Sequence, residues 1–325
     1  MKQELTMERL RELQALPLER KVGFTAARIT EFYNHFNGQV CVNFSGGKDS
    51  TVLLYIARKL YPEIKAVYVD TGLEFPEIRE FVVTFDNVDW IRPEKSFKRV
   101  IEEEGYPVIS KEVAQAIREK REGMPYAIRR WADCERIEKG EIPPPYWYNI
   151  IGRWRHLENA PFKISERCCD EMKKKPIMAY QRRTGFKPII GTMASESKMR
   201  TTAWLKTGCN AFEGRHQQSK PLSFWTEQDI LEYIKRMSIR IAKCYGEIIK
   251  DKDGKWRTTG ESRTGCMFCL FGCHRQRQPN KIQRLAQTHP TVYRYILDKL
   301  GFRNVMDYLK IPYQTTSNTE ENTNE

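Results

Sequence analysis

The run Ser45-Gly46-Gly47-Lys48-Asp49-Ser50 puts two hydroxyls, two glycines, an ammonium and a carboxylate into six positions. Paired glycines let a backbone turn tightly and come close to a ligand. An apolar, β-rich run precedes the loop and a helical pattern follows it. The unpaired N–H groups at that helix start then aim at the same point, which favours an anion. Lys48 adds positive charge there. The spelling is neither the usual P-loop, which needs four residues between Gly and Gly-Lys-Ser/Thr, nor the spaced-glycine dinucleotide fingerprint. The expectation is a phosphate cradle at a strand–helix junction.

A second set of chemistry-bearing residues is the cysteines. Cys168 and Cys169 are adjacent, Cys266 and Cys269 form a C-x-x-C, and Cys273 follows. Adjacent cysteines do not readily join in a mutual disulfide, so the pair needs another explanation. A lone C-x-x-C reads as two reduced thiols or half a zinc site, whereas four thiolates suit an iron–sulfur cluster. Cys41 reads as a small core residue. Cys134 and Cys209 stand in polar, Arg-containing surroundings, which can lower a thiol pKa and make a nucleophile; for each of them that is the lesser reading beside an ordinary thiol. Cys244 has no partner by spacing, and His274 reads as an exposed loop residue.

These groups need elements to hold them. Met7, Leu10 and Leu13 recur at helical spacing, and a second helical stretch runs over residues 24–36. "QVCVNF", "IKAVYVD", "NVDWIRP" and "KPIIGTM" read as strands, alternating with the helical patterns "KDSTVLLYIARKLYP" and "PVISKEVAQAIREKREG". That alternation predicts an α/β fold, a parallel sheet with helices on both faces. The expected organisation is an N-terminal helical segment over 1–37 and a nucleotide-binding α/β domain over 38–240. An irregular insertion at about 123–165 is expected to lie over the sheet's open edge. A Cys-rich region follows over 241–313, and 314–325 reads as a disordered tail.

The chain has 325 residues and a net charge of +13, which favours polyanionic partners. "MKQELTMERLREL" mixes charge signs and lacks the apolar core of a secretory signal. No apolar run reaches membrane-spanning length. The expectation is a cytoplasmic protein with reduced thiols and no membrane partner. Residues 123–161 are rich in Arg and Trp, including Arg129, Arg130, Trp131, Trp147, Arg153, Trp154 and Arg155. Such side chains can stack on unpaired bases while the cations hold phosphates.

"SGGKDS" resembles the loop of the PP-loop ATP pyrophosphatases, whose fold is adenine-nucleotide α-hydrolase-like. "YVDTGLEFPE" at 68–77, "GTMASESKMR" at 191–200 and "KPLSFWTEQDILEYI" at 220–234 resemble, in order, motifs of the phosphoadenosine-phosphosulfate (PAPS) reductase family. The resemblance spans roughly Val40 to Cys273. It implies that Ser45, Gly46, Gly47, Lys48, Asp49 and Ser50 hold nucleotide phosphates. Asp70, Thr71 and Gly72 would lie beside the nucleotide, and Glu196, Ser197 and Arg200 would face the phosphates. Met193 stands where the family often has Arg. The order of the cysteine motifs is similar to the cluster-bearing, adenosine-phosphosulfate (APS) reductase-like branch. It implies a 4Fe–4S cluster on Cys168, Cys169, Cys266 and Cys269, with Cys273 as an alternate ligand.

Sulfonucleotide reductases of this family use a redox cysteine near the C-terminus, and here no cysteine follows Cys273. The expectation therefore moves to an ATP pyrophosphatase that adenylates a substrate, nucleic acid such as DNA or tRNA, for sulfur transfer. Lys48, Asp49 and Arg200 would be catalytic. Mg²⁺ would sit on Asp49 or Asp70, and a sulfur donor such as a cysteine desulfurase would be a partner. The alternatives are PAPS or APS reduction to sulfite by a thiol from elsewhere, and a non-catalytic nucleotide- or nucleic-acid-binding protein.

Overall fold

The computed structural model describes residues 5–214 and 216–315. Along the chain come α1 (Met7–Ala15), α2 (Leu18–His35), β1 (Val40–Asn43), α3 (Lys48–Leu60), β2 (Lys65–Val69), α4 (Pro76–Val83) and β3 (Val88–Ile91). Next are α5 (Phe97–Glu103), β4 (Val108–Ile109), α6 (Lys111–Arg121), α7 (Pro125–Glu138), α8 (Tyr148–Ile151), α9 (Lys175–Thr184), β5 (Lys187–Ile190) and α10 (Lys198–Thr207). The chain continues through β6 (Asn210–Ala211), β7 (Gln218–Ser219), α11 (Glu227–Arg236), β8 (Ile248–Lys250), β9 (Trp256–Thr258), β10 (Leu270–Phe271), α12 (Lys281–Thr288), α13 (Pro290–Arg294) and α14 (Phe302–Tyr308). Most of the 314–325 tail lies outside the described residues.

Two compact units divide these elements: one holds the chain up to Arg92 and Pro176–Thr264, the other Pro93–Lys175 and the chain from Gly265 onward. The first carries a six-stranded sheet in the order β3-β2-β1-β5-β7-β6. Its pairings are parallel except β6 on β7. The α/β fold expected from strand–helix alternation is the fold observed. β1 and β2 are apolar on both sides, as parallel strands must be: Cys41, Val42, Ala66 and Val67 are all buried. In α3, Val52, Leu53, Leu54, Ile56 and Ala57 are buried too. Each such aliphatic side chain stabilises the fold by about 1.5–3 kcal/mol.

The run after β7 is tied to α2 by buried polar contacts. Trp225 Nε1 donates to Thr25 Oγ1 (2.9 Å), which donates to the Pro221 carbonyl (3.1 Å). Lys21 pairs with Asp229 at 2.7 Å, both largely out of water. Removing one partner of such a pair costs about 3–5 kcal/mol, because the other charge stays buried.

In the second unit, β4 and β10 pair in parallel, Val108 with Leu270 and Ile109 with Phe271. Rings of Phe97, Phe268, Phe302 and Tyr106 pack together. Arg118 binds Glu166 (2.8 Å) and Glu122 (2.5 Å). Arg121 donates to the carbonyls of Leu157, Glu158, Ala160 and Phe162. Within the stretch read as an irregular insertion, Pro125–Glu138 is a regular helix. Pro125 opens it at a position where a missing N–H costs nothing, and Ala127, Trp131 and Cys134 form its buried face.

Candidate active site

The order β3-β2-β1-β5 reverses direction at β1, and this is where open α/β sheets bind ligands, beyond the carboxyl ends of the strands. The loop after β1 is Phe44 to Gly47, and the loop after β5 carries Gly191 to Ser197. The second loop packs on the first turn of α3, which the first loop leads into. A Cβ on Gly191 would stand 3.1 Å from the Asp49 carbonyl oxygen and 3.2 Å from Ser50 Cα, so a side chain there would push the loop off the helix start. Gly46 has φ +70°, and a Cβ on it would meet Val82 Cγ2 at 2.7 Å and Ile78 Cγ2 at 2.8 Å.

The loop is braced from within. The Ser50 hydroxyl donates to the Gly47 carbonyl (2.9 Å) and accepts from the Ser45 amide (3.2 Å). Lys48 opens α3 with its side chain only 3% exposed. Its ammonium donates to the Ser262 carbonyl (2.7 Å) and pairs with Glu227 at 3.1 Å. Its backbone amide donates to the Tyr245 hydroxyl (3.1 Å), which lies 2.7 Å from Thr264 Oγ1. Glu227 thus neutralises the Lys48 ammonium, and Tyr245, Ser262 and Thr264 cover the loop.

Asp49 is buried beside this cluster. Burial raises its pKa above the usual carboxylate range, against the pull of Lys48, Arg263 and Arg200. Among the described residues its Oδ1 is buried without a hydrogen-bond partner, as are Asn43 Oδ1, Asp70 Oδ1 and Tyr68 Oη. Buried polar atoms are ordinarily paired, so unsatisfied ones at a strand end call for a ligand or water. Asp70 differs: Arg79 (3.0 Å) and Arg92 (3.3 Å) already hold its carboxylate. Thr71 donates through its amide and its hydroxyl to Glu74. Gly72, at φ +72°, has open space around it.

The third motif converges on the loop. Ser197 caps α10 by accepting from the Arg200 amide (3.3 Å). Glu196 pairs with Arg200 and with Arg263 (3.5 Å), and its Oε2 accepts from the Met193 amide (2.9 Å). Burial, then the nearby Arg263, lowers the pKa of Arg200. The structure therefore brings Lys48, Asp49, Glu196 and Arg200 into one charged constellation. It adds four residues not named as site residues from the sequence: Glu227, which lies inside the 220–234 motif, and Tyr245, Ser262 and Arg263, which carry no local signal.

The cysteines of the sheet unit are not thiolates. Burial pushes Cys41 and Cys244 up to about 12 and raises Cys209. In the other unit burial also raises Cys134, outweighing Arg155. The lesser reading of Cys134 and Cys209 as activated thiols is not supported, because desolvation of a thiolate exceeds the help of one nearby cation. His274 is also not exposed: both ring nitrogens are buried, its ring packs edge-on against Trp154 at 5.1 Å, and burial lowers its pKa.

Cys168, Cys169, Cys266, Cys269 and Cys273 all lie in the second unit, and none is in a disulfide. Cys168 shares a hydrogen bond with Cys169 and feels the charges of Cys269 and Cys266, all of which raise its pKa. The bond from Cys168 lowers Cys169, and so do Lys111 and Lys173. The Lys281 ammonium donates to the Cys266 carbonyl (3.3 Å), and Cys273 is within electrostatic reach of Cys269. Among the described residues, no three Cys, His, Asp or Glu side chains stand as ligands of a single metal ion. The thiols are within electrostatic reach of one another, with Lys111, Lys173 and Lys281 nearby.

Fold and loop together define an α/β unit of the PP-loop type. Residues 39–138 match the phosphoadenosine phosphosulfate reductase domain family. An uncharacterized protein of Methanocaldococcus jannaschii is 31% identical over 94 residues, which are 28% of this chain and 23% of that protein. Sulfate adenylyltransferase subunit 2 of Streptomyces lavendulae is 27% identical over 226 residues, 67% of this chain and 60% of that protein. The chain thus spans less than two thirds of the length of either relative. A crystal structure of PAPS reductase from Candida auris, in a phosphate complex, aligns with a TM-score of 0.38 at 12% identity, covering 77% of this chain and 98% of that one. No helix among the described residues is long and apolar enough to cross a membrane.

Proposed function

We propose that the sheet unit binds ATP and adenylates a substrate for sulfur transfer. The observation that carries this is the cation-lined glycine loop, where Lys48, Arg200 and Arg263 stand with Asp49, Glu196 and Glu227. The cysteines of that unit, Cys41, Cys209 and Cys244, are each pushed toward the thiol by burial. Attack on a sulfonucleotide needs a thiolate, whereas attack on ATP needs only a substrate oxygen and well-placed cations. The relative named for adenylyl transfer supports the same reading.

A substrate oxygen would attack the α-phosphorus. The bond from that phosphorus to the α–β bridging oxygen would break, and pyrophosphate would leave. Lys48, released from Glu227, would offset the charge growing on the departing phosphates, with Arg200 and Arg263 facing it. Asp49 fits Mg²⁺ better than Asp70, because Arg79 and Arg92 already form ion pairs with the Asp70 carboxylate. One carboxylate plus nucleotide phosphates is the usual way a protein holds this ion. The adenylated product would then lose AMP to a sulfur nucleophile.

Cys168, Cys169, Cys266 and Cys269 would hold the 4Fe–4S cluster, with Cys273 beside them. Such a cluster supplies electron transfer or a sulfide-binding iron. Lys111 and Lys173 would temper its charge. For the acceptor, nucleic acid is favoured by the exposed rings of Tyr126 and Tyr146 and by the cation–π stacks of Arg130 on Trp147 (5.4 Å) and Arg153 on Trp154 (5.2 Å). Trp131 is buried and packs the core.

The test is anaerobic protein with ATP, Mg²⁺ and single-stranded DNA, duplex DNA or tRNA, followed by pyrophosphate release. Release that depends on one acceptor and vanishes in Lys48→Ala is expected. Sulfite from PAPS or APS, with no pyrophosphate from ATP, would replace this reading with reduction. Nucleotide binding without any turnover would leave a binding protein. Iron and sulfide analysis of the same sample reads the cluster, and a colourless zinc protein would remove it.

A further inference from the structure

A small cavity lies at the carboxyl end of β5, walled by Thr192, Met193, Arg200, Trp204, Lys220 and Ser223. Its volume is about 130 Å³. At about 30 Å³ per water, that is room for roughly four waters, or for one tetrahedral oxyanion of five heavy atoms. Two cations face it. Arg200 keeps Glu196 as its partner. Lys220 is half-buried, and among the described residues its ammonium has neither an ion pair nor a hydrogen bond. Its backbone is fixed instead: the amide donates to the Cys209 carbonyl (2.6 Å), and the carbonyl accepts from the Ser223 amide (3.0 Å).

A half-buried ammonium without an anion is an unusual arrangement, since a desolvated charge ordinarily has a partner. Burial, and then the nearby Arg200, presses its pKa below the ordinary lysine value. Like charges around a void of this size are relieved when an anion enters. The cavity also adjoins the loop: Gly191, next to Thr192, is packed on Asp49 and Ser50. A ligand seated on the loop therefore has this void beside it.

We propose that the cavity is a second oxyanion site, in which Lys220 binds the terminal tetrahedral group of a nucleotide held on the loop. The proposal rests on the reading of the loop as a nucleotide cradle. It names the missing half of the ligand: a sulfate or phosphate group beyond the α-phosphate. Met193 and Trp204 close the void with apolar surface, which strengthens the ion contact by excluding water.

The experiment is calorimetric binding to wild type, Lys220→Met and Lys220→Arg, with inorganic sulfate, AMP, adenosine phosphosulfate and ATP as probes. Lys220→Met is expected to weaken sulfate binding about tenfold or more, the worth of one charge-assisted hydrogen bond, and to leave AMP within about twofold. Lys220→Arg is expected to restore most of the loss. Whichever of adenosine phosphosulfate and ATP loses more identifies the source of the group. Equal losses for AMP and the longer nucleotides would overturn the proposal, and so would unchanged sulfate binding in Lys220→Met. Far-UV circular dichroism and the recovery in Lys220→Arg exclude misfolding as the cause. The loop reading fails separately, when Lys48→Ala binds AMP and ATP as wild type does.

Discussion

Replacing Glu227 by Gln should tighten nucleotide binding. The Glu227 carboxylate stands 3.1 Å from the Lys48 ammonium. At an effective dielectric of about 20 that attraction is roughly 5 kcal/mol, and at that of bulk water about 1.3 kcal/mol. Lys48 is buried but the Glu227 side chain is 42% exposed. Solvent screening therefore places the net figure near the lower bound, about 1–2 kcal/mol. An incoming phosphate has to displace this carboxylate. Glu227→Gln removes the competitor and leaves Lys48 its contact with the Ser262 carbonyl. The expected gain in ATP affinity is about 5- to 30-fold. Glu227 also sits in the first turn of α11, where a negative charge favours the helix dipole, so the variant should lose about 0.5 kcal/mol of stability. Calorimetric titration with Mg-ATP and a thermal melt measure the two effects, which have opposite signs. Unchanged or weaker binding in a folded variant would refute the idea that Glu227 holds the loop in reserve.

Gly46→Ala should destabilise the sheet unit by roughly 2 kcal/mol or more, because the new Cβ would crowd Val82 and Ile78 at a left-handed φ; a lowered Tm checks this. Asp49→Asn should raise Tm at neutral pH while abolishing pyrophosphate release. Burial raises the folded-state pKa of Asp49 above its unfolded value. Its favourable share is thus full below the unfolded pKa and is lost as pH rises through the folded pKa. The gain from Asn should accordingly shrink toward pH 4, and melts at pH 4 and 7.5 test the sign. Arg118→Met strands Glu122 and Glu166 beside the cysteine loop, so iron content should fall together with a stability loss of about 3 kcal/mol.

The sheet could be read from the sequence because its determinants are local. β1 and β2 are short apolar runs bounded by turn residues, and α3 follows a Gly-Gly junction whose geometry only a few spellings permit. Ser45 to Ser50, Glu196 and Arg200 were legible for the same reason. Glu227, Tyr245 and Arg263 were not, because their role depends on the chain folding back over a loop some two hundred residues earlier. No period or composition announces that return. Cys134 and Cys209 show the converse failure. Nearby arginines are visible in sequence, but the burial that outweighs them is a property of the packed fold. In α7, the richness in Arg and Trp hid an ordinary amphipathic pattern, with Ala127, Trp131 and Cys134 on one face.

The pairing of β4 with β10 has a consequence for biosynthesis. Val108 and Ile109 leave the ribosome long before Leu270 and Phe271, the strand they pair with. Cys168 and Cys169 likewise emerge about a hundred residues before Cys266, an interval of roughly 5–20 s at ordinary elongation rates. During that time the adjacent thiols wait on a nascent chain whose completing segment does not yet exist. A cluster held by both cysteine pairs, as proposed above, would be inserted only after both segments are translated, and a pause or an oxidant acting in that window would trap the thiols before their partners arrive.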